Sequence, residues 1–145
     1  MRRLVLAATL ALAAATASAA TVAGVNIADS ANVNGQNLVL NGAGIRKKLF
    51  IKVYTGALYL PAKQSNPAAI LGGDTARRMV MHFVFGVDKE KIAEAWEEGL
   101  AANTPGASAD VKNAFRTLGS WMQDMEDGQE IMLTYVPGTG TVVQV

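Results

Sequence analysis

The chain has 145 residues, 13 Lys plus Arg against 12 Asp plus Glu, one His and no Cys. The missing cysteines exclude a disulfide scaffold, Cys-ligated zinc or iron–sulfur and thiol catalysis, and a single histidine excludes a multi-His metal site. The near-balance of charge excludes a strongly basic nucleic-acid binder, and a 50% apolar content is enough to bury the core of one domain.

Met1-Arg2-Arg3 is a short basic region, Leu4 to Ala15 is an apolar run, and Ala17-Ser18-Ala19 has the small-x-small pattern of a cleavage site. This is the layout of a secretory signal, with cleavage expected before Ala20. The run is shorter than the ~20 residues a membrane span needs, and no later segment is long and apolar enough to cross. The expected division is a signal peptide over 1–19 and one domain over 20–145. The Ala-rich signal is of bacterial type, so the expected location is the periplasm. Without the signal, 11 basic and 12 acidic side chains remain, a net charge of −1.

Ala20–Ala28 alternates loosely and reads as an edge strand. Asp29–Gln36 is polar, with Asn34-Gly35 as a turn signal. Leu38–Ile45 reads as a strand running into the glycine-broken stretch Asn41-Gly42-Ala43-Gly44. Lys48–Leu60 is the longest strand candidate, rich in β-branched and aromatic residues and stopped by Pro61. Asn66–Leu71 reads as a short helix with Pro67 in its first turn and Gly72-Gly73 as its stop. Ala76–Phe85 is apolar on both parities, so a central strand covered on both faces is expected.

Asp88–Ala102 reads as a helix with Asp88 as N-cap and Ile92, Trp96 and Leu100 along one face. Asn103–Ser108 is a loop. Ser108 then caps a second helix whose stripe is Val111, Phe115, Leu118, Met122 and Met125, ended by Gly128. Gln129–Val136 is a strand, residues 137–140 a turn, and Thr141–Val145 the start of a partner strand. Strands cluster and helices cluster, which predicts an α+β fold, an antiparallel sheet with helices on one face.

The chemical motifs are few. Gly42-Ala43-Gly44 lacks the third glycine and the helix of a dinucleotide loop, and reads instead as a bend or bulge. The acidic residues of the helices lie off the apolar stripes, as solvated faces do. His82, flanked by Val80 and Val84, reads as a buried, hydrogen-bonded histidine rather than a catalytic base.

Arg46–Tyr54 stands apart. As an unbroken strand it places Arg46, Lys48, Phe50, Lys52 and Tyr54 on one face, and Leu49, Ile51, Val53, Thr55 and Ala57 on the other. Alternating cations and aromatics fit one wall of a cleft for an apolar molecule with an anionic group. The competing reading is an edge strand whose lysines lie over Phe50 and Tyr54.

From Leu40 to Pro61 the chain resembles the chalcone isomerase-like family in its bacterial exported branch. The matching pieces are Leu40-x-Gly42-x-Gly44-x-Arg46, the core Phe50-Ile51-Lys52, and the exit Gly56-Ala57-Leu58-Tyr59-Leu60. The resemblance implies an open-faced β-sandwich, and either an isomerase that closes a chalcone to a flavanone or a non-catalytic relative that binds fatty acids. It places Arg46 as the cleft arginine facing the ligand's anionic group. Val53 and Tyr54 fall where true isomerases have an aromatic and a water-positioning threonine, so Tyr54 is a departure. The helix tyrosine of the isomerases has no counterpart in Lys89–Ala93, and Arg77 or Arg78 stands in for their strand lysine. Relatives continue with further strand and helix, so the domain is expected to be incomplete at its C-terminus.

The resemblance thus favours binding of a fatty acid or similar apolar carboxylate by Arg46, Phe50, Lys52, Val53 and Tyr54. The alternatives are an intramolecular lyase of chalcone-to-flavanone type, with Arg46 and Tyr54 as its polar groups, and an envelope structural protein. The expected partner is a small apolar acid or phenol, with no nucleic acid, no metal and no organic cofactor. Oligomeric state is left open.

Overall fold

A computed structural model describes residues 20–145, and the stretch read as an export signal lies outside the described residues. Six strands form an antiparallel meander in chain order: β3 (Ser30–Val33), β4 (Gln36–Lys48), β5 (Ile51–Leu60), β6 (Arg77–Phe83), β7 (Glu130–Val136) and β8 (Gly140–Gln144). A separate hairpin of β1 (Ala20–Val22) and β2 (Val25–Ile27) precedes them. Three helices complete the fold: α1 (Pro67–Gly72), α2 (Lys89–Asn103) and α3 (Ala109–Ser120). The α+β reading with an antiparallel sheet is the observed architecture.

The register divides the sheet into two faces. On one, the rows Gly42–Leu58–Met79–Leu133, Gly44–Gly56–Met81–Ile131 and Arg46–Tyr54–Phe83 run across adjacent strands. On the other lie Thr55–His82–Glu130, Ala57–Val80–Met132 and Tyr59–Arg78–Thr134. Each face has its own core. The first packs Met81, Phe83 and Ile131 against Ile92 of α2 and the buried Met122 and Met125. The second packs Ala57, Tyr59 and Leu38 under Ile27 of the β1–β2 hairpin. The Tyr59 hydroxyl donates to the Ala28 carbonyl at 2.9 Å and pins the end of that hairpin to the sheet.

The helical pair is inserted between β6 and β7. Val87 and Met125 exchange backbone hydrogen bonds of 2.8 and 2.9 Å and close the neck of the insertion. The two helices approach closely where a Cβ on Gly119 would stand 3.1 Å from that of Ala93, so glycine fits the crossing best. Ser108 caps α3 by accepting from the Val111 N–H, and Asn66 caps α1 by accepting from Ala68. Asp88 occupies the N-cap of α2 but makes no side-chain cap bond; the Lys89 N–H is satisfied by Asp124 Oδ1 at 2.9 Å.

Several expectations are corrected. Ala20–Ala28 is not an edge strand of the main sheet. Ala23 and Gly24 take positive φ and fold it into the hairpin that covers one face. The polar stretch after it contains β3, which Asn34-Gly35 joins to β4 by a tight turn. The second long helix stops at Ser120, yet Met122 and Met125 are still buried, because the stripe marked the core-facing side of the chain and not its helicity. The largest correction is at Lys48–Leu60. That span is not one strand, because the chain reverses at Leu49-Phe50 and Lys48 pairs with Ile51. His82 is half-buried rather than buried, and its Nδ1 lies 2.9 Å from Glu130 Oε1.

Candidate functional site

Because the chain turns at Leu49-Phe50, residues 46–54 do not share a face by strand alternation. Arg46 and Tyr54 nevertheless meet, as cross-strand partners on β4 and β5. A bulge is what sets them opposite each other. Arg46 pairs with Tyr54 and Lys47 with Lys52, so Val53 is the extra residue on β5. Two residues of a bulged strand then oppose one partner, and both Val53 and Tyr54 pack against the helix-side core. The Tyr54 ring sits 5.6 Å from that of Phe83, tilted by 51°.

The other expected site residues separate. Phe50 is 88% exposed in the turn. Lys52 borders a hollow on the opposite side of the sheet, with His82, Glu130 and Asp127. Arg78 also belongs to that side, where its Nε donates to Thr134 Oγ1 at 2.9 Å. Arg77 is on the helix side at the far end of β6. Its guanidinium donates to the carbonyls of Ile70 and Gly73 and lies 4.9 Å over the Tyr135 ring, so it is committed to holding α1 on the sheet. The structure thus brings together Arg46, Val53 and Tyr54, and sets Phe50 and Lys52 apart from them.

The helix-side face is only partly covered. Helix α2 and the Met122–Met125 segment close the Phe83 and Ile131 end, while Met79 remains 36% exposed and Gly42 and Gly44 are exposed. Nothing lies within 4 Å of where a Cβ would stand on Gly42 or Gly44, and one on Gly56 would meet only Tyr54 and Met79 side chains and the Gly44 carbonyl, at 3.7 to 4.0 Å. Gly42 and Gly44 therefore leave a shallow open trough along β4, bordered at Gly56 by the Tyr54 and Met79 side chains. Its floor is glycine backbone with Leu58 and Met79, and Arg46 and Tyr54 stand at one end. The two ion pairs among the described residues, His82–Glu130 and Lys91–Glu94, both lie elsewhere, so Arg46 is left without a carboxylate.

The glycines were the part that sequence reasoning missed. Gly42 and Gly44 read as a bend or bulge where bulk would not fit; the bulge is there, at Asn41, but there is room for a side chain at both glycines. Their spacing of two, matched by Gly56 across the ladder, was the signal for a bare strip on one face. Such a strip can take a flat or extended apolar molecule, with a forked hydrogen-bond pair from arginine and one donor from tyrosine at its end.

The comparisons agree with this architecture. A fatty-acid binding protein of Arabidopsis thaliana has a similar crystal structure, with a TM-score of 0.66 and 18% identity over 83% of this chain and 73% of its own. At that identity the likeness is one of fold. No curated protein matches by sequence. The family model described as chalcone isomerase-like matches residues 19–145, from just before β1 to the last residue, and the chain belongs to that family.

Proposed function

We propose that the protein is a non-catalytic binding domain for a fatty acid or a similar apolar carboxylate, held in the trough with its anionic group on Arg46. The observation that carries this reading is the cross-strand pair Arg46–Tyr54 at the end of a strip left bare at Gly42 and Gly44 and bordered at Gly56 by the Tyr54 and Met79 side chains. From the Arg46–Tyr54–Phe83 row to Arg77 is six residues along β6, roughly 20 Å, on the order of an extended long acyl chain. Leu58 and Met79 would bury its methylenes, each worth about 0.8 kcal/mol. The fatty-acid binding role of the Arabidopsis protein of similar fold supports the ligand class.

The test is native mass spectrometry of the purified protein without detergent. A retained adduct of acyl-chain mass, lost in Arg46→Ala, is the expected result. A folded protein with no adduct, or an adduct indifferent to Arg46, overturns the reading. The lyase alternative is favoured by the same arginine–tyrosine pair and predicts cyclisation of a chalcone that Arg46→Ala abolishes.

The proposal includes export. Residues 1–19 act as a signal removed before Ala20, leaving 20–145 as the domain in the periplasm. The N-terminal mass of protein recovered from the periplasmic fraction tests this directly.

A further inference from the structure

The β4–β5 hairpin ends in Leu49 and Phe50, 87% and 88% exposed. Leu49 has φ of 56°, in the left-handed region where glycine or asparagine is the usual choice at a two-residue hairpin turn. The two side chains bury nothing, and one of them strains the backbone. Folding does not account for them.

The strands behind the turn carry Arg46, Lys47, Lys48 and Lys52. Lys47 stands directly across from Lys52, a like-charge pair that weakens the ladder. No Asp or Glu occurs from Ser30 to Gly73. Helix α2 brings Glu94 within electrostatic reach of Lys48, but the Glu94 carboxylate is hydrogen-bonded to Lys91 at 2.8 Å. Among the described residues none of the four cations is in an ion pair.

We propose that this tip docks the protein on a bilayer containing anionic phospholipid. Leu49 and Phe50 enter the boundary between headgroups and acyl chains, and the four cations remain at the level of the phosphates. The geometry suits this division. The cations lie within three residues of the turn, at most roughly 10 Å along the strands, inside the reach of the surface field at physiological salt. Lys52 shares a hollow with Asp127 and Glu130, and Glu130 is already paired with His82, so the charge around the apolar pair is in positive excess; it is complementary to an anionic interface and repels a second copy of itself. The proposal rests on the tip alone and holds whatever fills the trough.

The test is co-sedimentation with vesicles of phosphatidylcholine alone and of phosphatidylcholine with roughly one-third phosphatidylglycerol. It compares the protein as the cell makes it with L49N/F50S and K47Q/K48Q. All share one N-terminus, so differences between them report the tip. The expected result is binding to the anionic vesicles that weakens with salt and falls about tenfold or more in each variant. Far-UV circular dichroism and thermal melting establish that both variants fold. Equal binding to neutral and anionic vesicles, no binding at all, or binding unchanged in folded variants overturns the proposal. So does self-association in sedimentation velocity that L49N/F50S abolishes, since the tip is then a contact between copies.

Discussion

The two ends of the β4–β5 ladder are built to opposite specifications. Near Val39–Leu60 the ladder is covered: Leu38 and Tyr59 are buried under the β1–β2 hairpin, and Leu60, which alternates to the other face, is buried too. Near Lys48–Ile51 it carries a strained turn, facing lysines and exposed apolar side chains at Leu49 and Phe50. The difference teaches where stability is made and where it is given up. The covered parts of the sheet supply the folding energy, which leaves the outer half of one hairpin free to carry groups that folding alone would remove.

The comparison breaks most visibly if a change in the covered core turns out to be mild. Phe83→Ala removes a side chain that is 2% exposed and packs at a tilt against Tyr54, so urea denaturation is expected to show a loss of about 3–5 kcal/mol. Tyr59→Phe loses the bond to Ala28 and is expected to cost about 1 kcal/mol in the same measurement. It also changes the pH dependence. Burial, then the Glu130 and Asp29 carboxylates, push the Tyr59 phenol above its ordinary value, against a smaller opposing effect of Arg78. The folded state therefore keeps a proton that the unfolded chain has already lost. Its contribution is full below about pH 10 and is lost as pH rises through the folded value. Melting temperatures taken across alkaline pH should fall less steeply in Tyr59→Phe.

At the other end the signs reverse. Leu49→Gly relieves the left-handed turn and is expected to stabilise by about 1 kcal/mol, read as a higher denaturation midpoint with an unchanged slope. Gly44→Val sharpens the comparison further. A β-branched residue suits a strand, and there is open space for it, so a gain of about 0.5–1 kcal/mol is expected. The same side chain fills the trough, and the acyl adduct in native mass spectrometry should disappear. A variant that is destabilised and keeps its adduct would mean that the glycine serves the backbone and not the ligand.

What was legible in the sequence follows the same division. The stripe Ile92–Trp96 and the positions Met122 and Met125 announced burial because water exclusion leaves a periodic mark. Asn34-Gly35 announced its turn by residue type. The Leu49-Phe50 turn left no mark, because a leucine at positive φ looks in sequence like any strand residue, and an unbroken strand over 46–54 followed from that. Arg46 and Tyr54 were still singled out together, but they share a face only because the bulge at Val53 shifts the register; a plain reversal about 49–50 would have set Arg46 against Val53. Phe50 and Lys52 were carried along by the alternation and fell away with it. β3 stayed hidden in a polar stretch, because Ser30–Val33 is an edge strand paired with β4 alone.

The meander has a consequence for how the chain finds its fold. Neighbours in the sheet are neighbours in sequence, so β3, β4 and β5 can zip through turns, and β6 joins them through residues 61–76, which hold α1. The exception is β6 to β7, separated by residues 84–129. Joining them demands a large loop closure, and its entropy is reduced only if α2 and α3 have already condensed and Val87 has met Met125. The β7–β8 hairpin is therefore expected to dock last, so that pulse-labelled amides of β5 gain protection from exchange before those that join β6 to β7.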